Sequence, residues 1–168
     1  MNRLQGKVAI ITGAAGGFGE GIARLFVAEG AKVLIADLDA DKAQQVAASL
    51  GAQARSVRCD VSKRADIDAA LKACIDAFGA PDIVVNNAGT THRNQSMLDV
   101  DEATFDRVFA VNVKSIYHMT QAVVPLMKAR KSGCIVNIGS TAGIRPRPGL
   151  SWYNASKGAV NVLSKSMA

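Results

Sequence analysis

Long apolar runs are missing from this 168-residue chain. Its unbroken apolar stretches are a few residues each, against the roughly 20 that a membrane-spanning helix requires. Near the start, Val8 to Ile11 form an apolar patch of four residues, too short for the core of an export signal, and glycines interrupt the chain just beyond it. The expected address is the cytoplasm. Cysteine is scarce and unpatterned. Cys59, Cys74 and Cys134 are odd in number and show neither Cys-x-x-Cys nor Cys/His spacing, so no disulfide framework or zinc site is expected. All three lie in apolar stretches, where a free thiol serves as a small hydrophobe. Aromatic residues make up only 5% of the chain, and none form a platform between the basic residues. The net charge of +6 is therefore read as solvated surface charge rather than a nucleic-acid footprint. Repeats, linkers and low-complexity segments are absent as well.

What is present describes an ordinary globular chain. Hydrophobic residues are 49% and charged residues 20%, a balance that excludes disorder. The length suits one domain, able to bury roughly 70% of its unfolded surface. Charge is uneven: residues 1–90 are balanced, whereas 91–168 carry ten Lys/Arg against four acids.

Short Val/Ile-rich runs alternate with longer helical patterns. Strands are expected at Val8–Thr12, Lys32–Ala36, Arg55–Asp60, Ile83–Asn86 and Cys134–Gly139, hydrophobic enough to be covered on both faces. Helices are expected at Phe18–Glu29, Asp41–Leu50, Arg64–Phe78 and Glu102–Lys131, with a last one from about Trp152 onward. In the third, Ile67, Leu71, Cys74, Ile75 and Phe78 share a stripe, Ser62 is the expected N-cap, and Gly79-Ala80-Pro81 stops it. Such alternation predicts an α/β fold with a parallel sheet and right-handed crossovers.

Chemistry concentrates in two places. The first strand runs through Thr12-Gly13-Ala14-Ala15-Gly16-Gly17-Phe18-Gly19 into a helix. Gly13 permits the turn, Gly17 lets backbone approach a pyrophosphate, and Gly19 allows close packing of helix on strand. Amides at the helix start favour phosphates. An ordinary tight strand-to-helix turn reads the same way. Asp37 sharpens the pattern: it closes the second strand, where a carboxylate accepts from a ribose 2′-OH and repels a 2′-phosphate. No Arg or Lys lies in the glycine turn, which favours NAD over NADP. The alternative for Asp37 is a helix N-cap, a job for which Asp39 and Asp41 are better placed.

The second cluster is Ser140, Tyr153 and Lys157. Tyr and Lys four apart share a helix face, and a neighbouring cation favours the phenolate. Such a tyrosine can exchange a proton with a carbonyl or alcohol oxygen, to which Ser140 can donate a hydrogen bond. Taken alone, a Tyr-x-x-x-Lys pair is common by chance.

Together these motifs resemble the short-chain dehydrogenase/reductase family over essentially the whole chain. The matching residues are TGAAGGFG at 12–19, Asp60-Val61, NNAG at 86–89, Asn112 within VNVK, Ser140 within NIGSTAG, and YNASK at 153–157. The resemblance implies a Rossmann-like doubly wound sheet in the order 3-2-1-4-5. It also implies an NAD-dependent oxidoreductase acting between a secondary alcohol and a ketone. By the same resemblance Tyr153 is the acid/base, Ser140 positions the substrate oxygen, and Lys157 assists Tyr153 and binds the nicotinamide ribose. Asn112 would hold a water that relays protons from Lys157. Phe18 lies in the cofactor-binding turn, Asp60 and Val61 would contact adenine, and Asn87 would steady the central strand. Without the family, Asn86 and Asn112 read as polar stabilisers of a strand end and a helix.

Family members continue past this point, so the expectation is a piece of a longer protein with the fifth strand as an exposed apolar edge. A short NAD-binding module, catalytically silent, is the alternative. So is a 3-oxoacyl-carrier-protein reductase using NADPH, with Lys128, Arg130 and Lys131 receiving an acidic carrier. The loops Thr90–Asp101 and Thr141–Trp152 carry His92, Arg93, Arg145 and Arg147, which would suit an anionic substrate. A homo-oligomer is expected for the complete protein. The apolar residues Phe105, Val108, Phe109, Ile116 and Val123 serve either that pairing or the sheet.

Overall fold

The strands of this chain alternate their side chains between two apolar layers, and that alternation organises the molecule. The computed structural model describes residues 2–168. Five parallel strands, β1 (Val8–Thr12), β2 (Lys32–Asp37), β3 (Ala54–Arg58), β4 (Ile83–Asn86) and β5 (Cys134–Asn137), lie in the order β3-β2-β1-β4-β5. Six helices connect and cover them: α1 (Gly17–Ala28), α2 (Ala40–Leu50), α3 (Arg64–Phe78), α4 (Glu102–Phe109), α5 (Ser115–Arg130) and α6 (Ser151–Ser166). This is the parallel α/β sheet that the alternation predicts, in the doubly wound, Rossmann-like order that the resemblance implies.

Successive residues of a strand point to opposite faces. On β1, Val8 and Ile10 enter one layer with Leu34, Val84, Ile67 and Cys74 of α3, and Met119 and Val123 of α5. Ala9 and Ile11 enter the other with Val33, Ile35, Val85, Ala23 of α1, and Ala43 and Val46 of α2. Both faces of the central strands are thus dry, which explains their unbroken hydrophobicity. Ile10 is fully buried. Truncating such a residue to alanine costs about 2–5 kcal/mol.

Several local expectations change. Helix α3 has Lys63 at its N-cap position, with no side-chain cap, and not Ser62, whose hydroxyl donates instead to Asp60 Oδ1 at 2.6 Å. Asp66 reaches back from the first turn to accept from the Asp60 amide at 2.9 Å, tying the helix start to the loop before it. On the α3 stripe Ile67 and Cys74 are buried, while Ile75 is 41% exposed and faces away from the sheet. Cys59 and Cys74 are buried, but Cys134 is exposed because it opens β5 at the sheet edge. Beside it Val136 is 39% exposed, so the edge is apolar as expected.

The helix expected over 102–131 is not continuous. A π-helical turn, Ala110–Lys114, separates α4 from α5. Val108, Ile116 and Val123 are buried, and Phe105 stacks on Phe109 and, edge-on, on Trp152 of α6 at 5.2 Å. Among the described residues no helix is long and apolar enough to cross a membrane.

Candidate active site

Parallel strands all end on one side of the sheet, and the loops leaving those ends gather there. Pairing of Thr12 with Ala36 and of Asn86 with Asn137 fixes this rim. The glycine turn after β1 has Gly13 at φ +63° and Gly17 at φ +56°, a region that favours glycine. A Cβ on Gly19 would run into the Gly13 carbonyl and the Asn87 amide, so α1 packs against the turn only because that position is bare. Asn87 Nδ2 donates to the carbonyls of Thr12 at 2.8 Å and Gly13 at 2.9 Å, locking the turn onto β4. From the other side, Asp37 Oδ2 accepts from the Ala15 amide at 2.9 Å and Oδ1 from the Asp39 amide at 3.0 Å. Asp39, not Asp37, caps α2, by accepting from Lys42 N at 3.0 Å.

Two cavities open along this rim. The first, about 360 Å³, is lined by Gly13, Asp37, Asp60, Val61, Arg107 and Val111, among others. Hydrogen bonds from the Ser62 hydroxyl and amide hold the Asp60 carboxyl below its ordinary value of 3.8, with Lys63 adding to the effect. The second cavity, about 470 Å³, is lined by Phe18, Asn87, Ser140, Arg147, Tyr153 and Lys157, among others. Gly89 and Thr90 line both, so the cavities meet at the loop after β4. Phe18 at the opening is 84% exposed.

Within the second cavity the three expected residues come together from two elements. Ser140, just beyond β5, accepts from the Ala142 amide at 3.1 Å, which leaves its own hydroxyl proton free to donate. Tyr153 and Lys157 stand one turn apart on α6. Lys157 is 6% exposed and its Nζ donates to the Ile138 carbonyl at 2.8 Å. Burial pushes its ammonium below the ordinary 10.5.

Asn112 is buried in the π turn, and its side chain spans to the loop after β4. Oδ1 accepts from Thr90 N at 2.8 Å, while Nδ2 donates to Thr90 O and Ser156 Oγ, each at 2.9 Å. A Cβ on Gly89 would stand 3.4 Å from Asn112 Oδ1 and 3.6 Å from Lys157 Nζ, so both groups border the same point of backbone. Asn112 therefore stabilises a loop, not the helix that carries it. Asn86 does bind a strand end, donating to Asn137 Oδ1 at 2.8 Å.

Arg107, Ser156 and the Ile138 carbonyl belong to this network although the sequence did not single them out. Arg107 donates to Thr90 Oγ1 at 2.8 Å, so Arg107 and Asn112 grip the same threonine. Five residues apart, they would lie about 140° apart on a regular α-helix. The i→i+5 bonding of a π turn instead brings such pairs onto one side. Ser156 carried one signal, a small residue inside YNASK, and it is fully buried.

A model of the short chain dehydrogenase family matches residues 7–168. The chain belongs to that family. Among curated short-chain dehydrogenase relatives it is 49% identical to 4-formylbenzenesulfonate dehydrogenase of Comamonas testosteroni, aligning 98% of this chain with 67% of that protein. It is 44% identical to galactitol 2-dehydrogenase of Agrobacterium fabrum, aligning 99% of this chain with 65% of the relative. A solved 3-ketoacyl-(acyl-carrier-protein) reductase from Brucella melitensis, complexed with NADH, superposes with a TM-score of 0.95. That match is at 47% identity and covers 98% of this chain and 70% of the reductase. The chain thus spans about two thirds of the length of the short-chain dehydrogenases it matches.

Proposed function

We propose that the protein is an NAD-dependent oxidoreductase interconverting a secondary alcohol and a ketone. One observation carries this reading: Ser140, Tyr153 and Lys157 line one cavity that meets the glycine-turn cavity at Gly89 and Thr90. The residues present fit a dinucleotide. The bare backbone at Gly17, with nothing within 4 Å of where a Cβ would stand, suits a close phosphate approach. No side chain caps α1, so its first-turn amides keep their affinity for an anion. An ionised carboxylate has about four acceptor sites. Two bonds from Ala15 and Asp39 leave Asp37 room for both hydroxyls of a ribose. A 2′-phosphate there would face that same negative charge, and the Brucella relative holds NADH.

When bound, the nicotinamide accepts or donates the hydride. In the oxidative direction the alcohol loses a hydride and a proton to give ketone, NADH and H⁺. Tyr153 takes the hydroxyl proton, and Ser140 donates to the same oxygen and fixes it. Lys157 stands one turn along α6 from Tyr153 and lines the same cavity. One of its three N–H groups is committed to Ile138, leaving two for ribose hydroxyls or water. Asn112, Gly89 and Lys157 border the point where a proton-relaying water would sit. Asp60 and Val61, which line the glycine-turn cavity, would contact the adenine.

Tyr153→Phe should lower turnover by about 10²–10⁴-fold while NADH still binds in a fluorescence titration. Undiminished turnover overturns the assignment. NADH binding without turnover of any carbonyl by the parent would support a silent binding module instead.

A second reading, reduction of a carrier-bound 3-oxoacyl group, draws on the Brucella relative. Of its basic trio, Arg130 is committed to the carbonyls of Ala80 and Pro81, at 3.1 and 2.6 Å. Docking would then rest on Lys128 and Lys131. Their double alanine variant should lose activity on the carrier-bound substrate more than on a free one, and equal losses would dismiss it.

A further inference from the structure

Of the four basic loop residues that flank the site, only Arg147 lines the cavity holding Ser140, Tyr153 and Lys157. We propose that Arg147 selects a substrate bearing an anionic group, a carboxylate or a sulfonate, at the end remote from the reacting carbon. The inference rests on the oxidoreductase reading and specifies its substrate class.

Three observations support it. First, the charge of the cavity is one-sided. Arg147 and Lys157 line it, and among the described residues no acidic side chain does. Lys157 is buried and bonded to Ile138, so Arg147 is the cation with a free guanidinium fork. It forms no salt bridge among the described residues. Second, its backbone is held to an unusual degree for an exposed loop. Prolines 146 and 148 flank it, fixing φ on both sides and barring Arg147 itself from the helical region. The Arg147 carbonyl accepts from Asn154 Nδ2 at 2.8 Å, the Pro148 carbonyl from Asn94 Nδ2 at 2.9 Å, and the Gly149 carbonyl from Gln95 N at 3.0 Å. Three consecutive carbonyls are thus anchored, one to α6 beside Tyr153 and two to the loop after β4. A guanidinium on such a base is pre-organised for bidentate binding of a planar or tetrahedral oxyanion. Third, the other candidates are elsewhere. His92 is buried with Nδ1 at 2.7 Å from the Arg93 carbonyl. Neither Arg93 nor Arg145 lines the cavity.

The test compares 4-acetylbenzoate with its neutral isostere, 4-acetylbenzamide, as substrates for NADH-linked reduction. The parent should prefer the anion in kcat/KM by about ten- to hundredfold, an increment expected of one charge-assisted pair. Arg147→Gln should abolish that ratio, Arg147→Lys should keep part of it, and Arg145→Gln should leave it whole. The ratio should also shrink as salt rises from about 0.01 to about 1 M, where the Debye length falls from about 30 to about 3 Å. Absence of a preference, or one that survives Arg147→Gln, overturns the proposal. Binding of benzoate and benzamide by calorimetry supplies a readout without turnover. Benzoate binding weakened tenfold or more by Arg147→Gln, with neither ketone reduced, would uphold the anion site and sink the oxidoreductase reading. Benzoate binding that is absent or indifferent to Arg147 would sink the anion site.

Discussion

Thr12 and Asn87 are joined by two hydrogen bonds of opposite kind. The Asn87 amide donates to Thr12 Oγ1 at 3.0 Å, and Asn87 Nδ2 donates to the Thr12 carbonyl at 2.8 Å. Thr12 Oγ1 also accepts from the Ala88 amide at 3.1 Å and donates to the Val85 carbonyl at 3.3 Å. One buried hydroxyl thereby ties the end of β1 to the end of β4, where the two cavities meet. Thr12→Val keeps the shape but strands the Ala88 amide, while the Asn87 amide retains the Val85 carbonyl at 3.0 Å. It should cost about 1–3 kcal/mol in urea denaturation and loosen NADH binding. A variant as stable as the parent would show that the Ala88 amide finds another partner.

Asp37→Ala should do two things at once. Removing the carboxylate frees the Ala15 and Asp39 amides, and it also lifts the repulsion of a 2′-phosphate. Fluorescence titration should show the NADH-over-NADPH preference falling about tenfold or more, one charge interaction's worth. If the parent already binds NADPH more tightly, the ribose assignment of Asp37 is wrong.

Lys157 makes stability depend on pH in a defined direction. Burial holds its folded-state pKa below the ordinary 10.5. Between those two values the unfolded chain carries a proton that the folded chain has released, so this residue adds stability as pH rises. Below the depressed value the cost of a buried cation is present in full. Lys157→Met should therefore be inactive, and the parent should gain on the variant as pH climbs toward 10.5. Parallel stability curves across that window would mean that the amine titrates alike in both states.

Thiol labelling separates the three cysteines. Burial, reinforced by Asp66 and Asp60, pushes the Cys59 thiol up to about 12. Burial, with Asp82, does the same for Cys74, also to about 12. Cys134 is exposed. An aromatic disulfide reagent at pH 8 should modify Cys134 rapidly in the native chain and the other two only after denaturation. Rapid loss of a second thiol would indicate that β3 or α3 opens readily.

The parallel α/β sheet, the glycine turn and the Ser140–Tyr153–Lys157 grouping were legible because each is written in local pattern, whereas the strand order came with the family resemblance. Strand hydrophobicity reports burial on both faces, glycines mark the turn, and Tyr153 and Lys157 share a helix face by spacing alone. Capping of α3 was misread because Ser62 found a nearer partner in Asp60, leaving the return contact to Asp66. Cys134 was misread because an apolar run at a sheet edge reads like one in the middle. Arg147 stood out only as one basic residue among four. Its difference from Arg145 lies in which way a proline-bounded loop folds back, a tertiary fact. Arg107 was hidden because helical spacing places it away from Asn112.

The π turn at 110–114 holds one residue more than the α-helical turn it replaces. Removing Val113 or Lys114 would let α4 and α5 run on as one evenly bonded rod. Asn112 would then stand about 140° from Arg107 on a regular α-helix, turned away from the Thr90 that both now hold. The direction in which this amide points is therefore stored as a length of chain and not as a choice of side chain, and a scan of substitutions alone would pass over it.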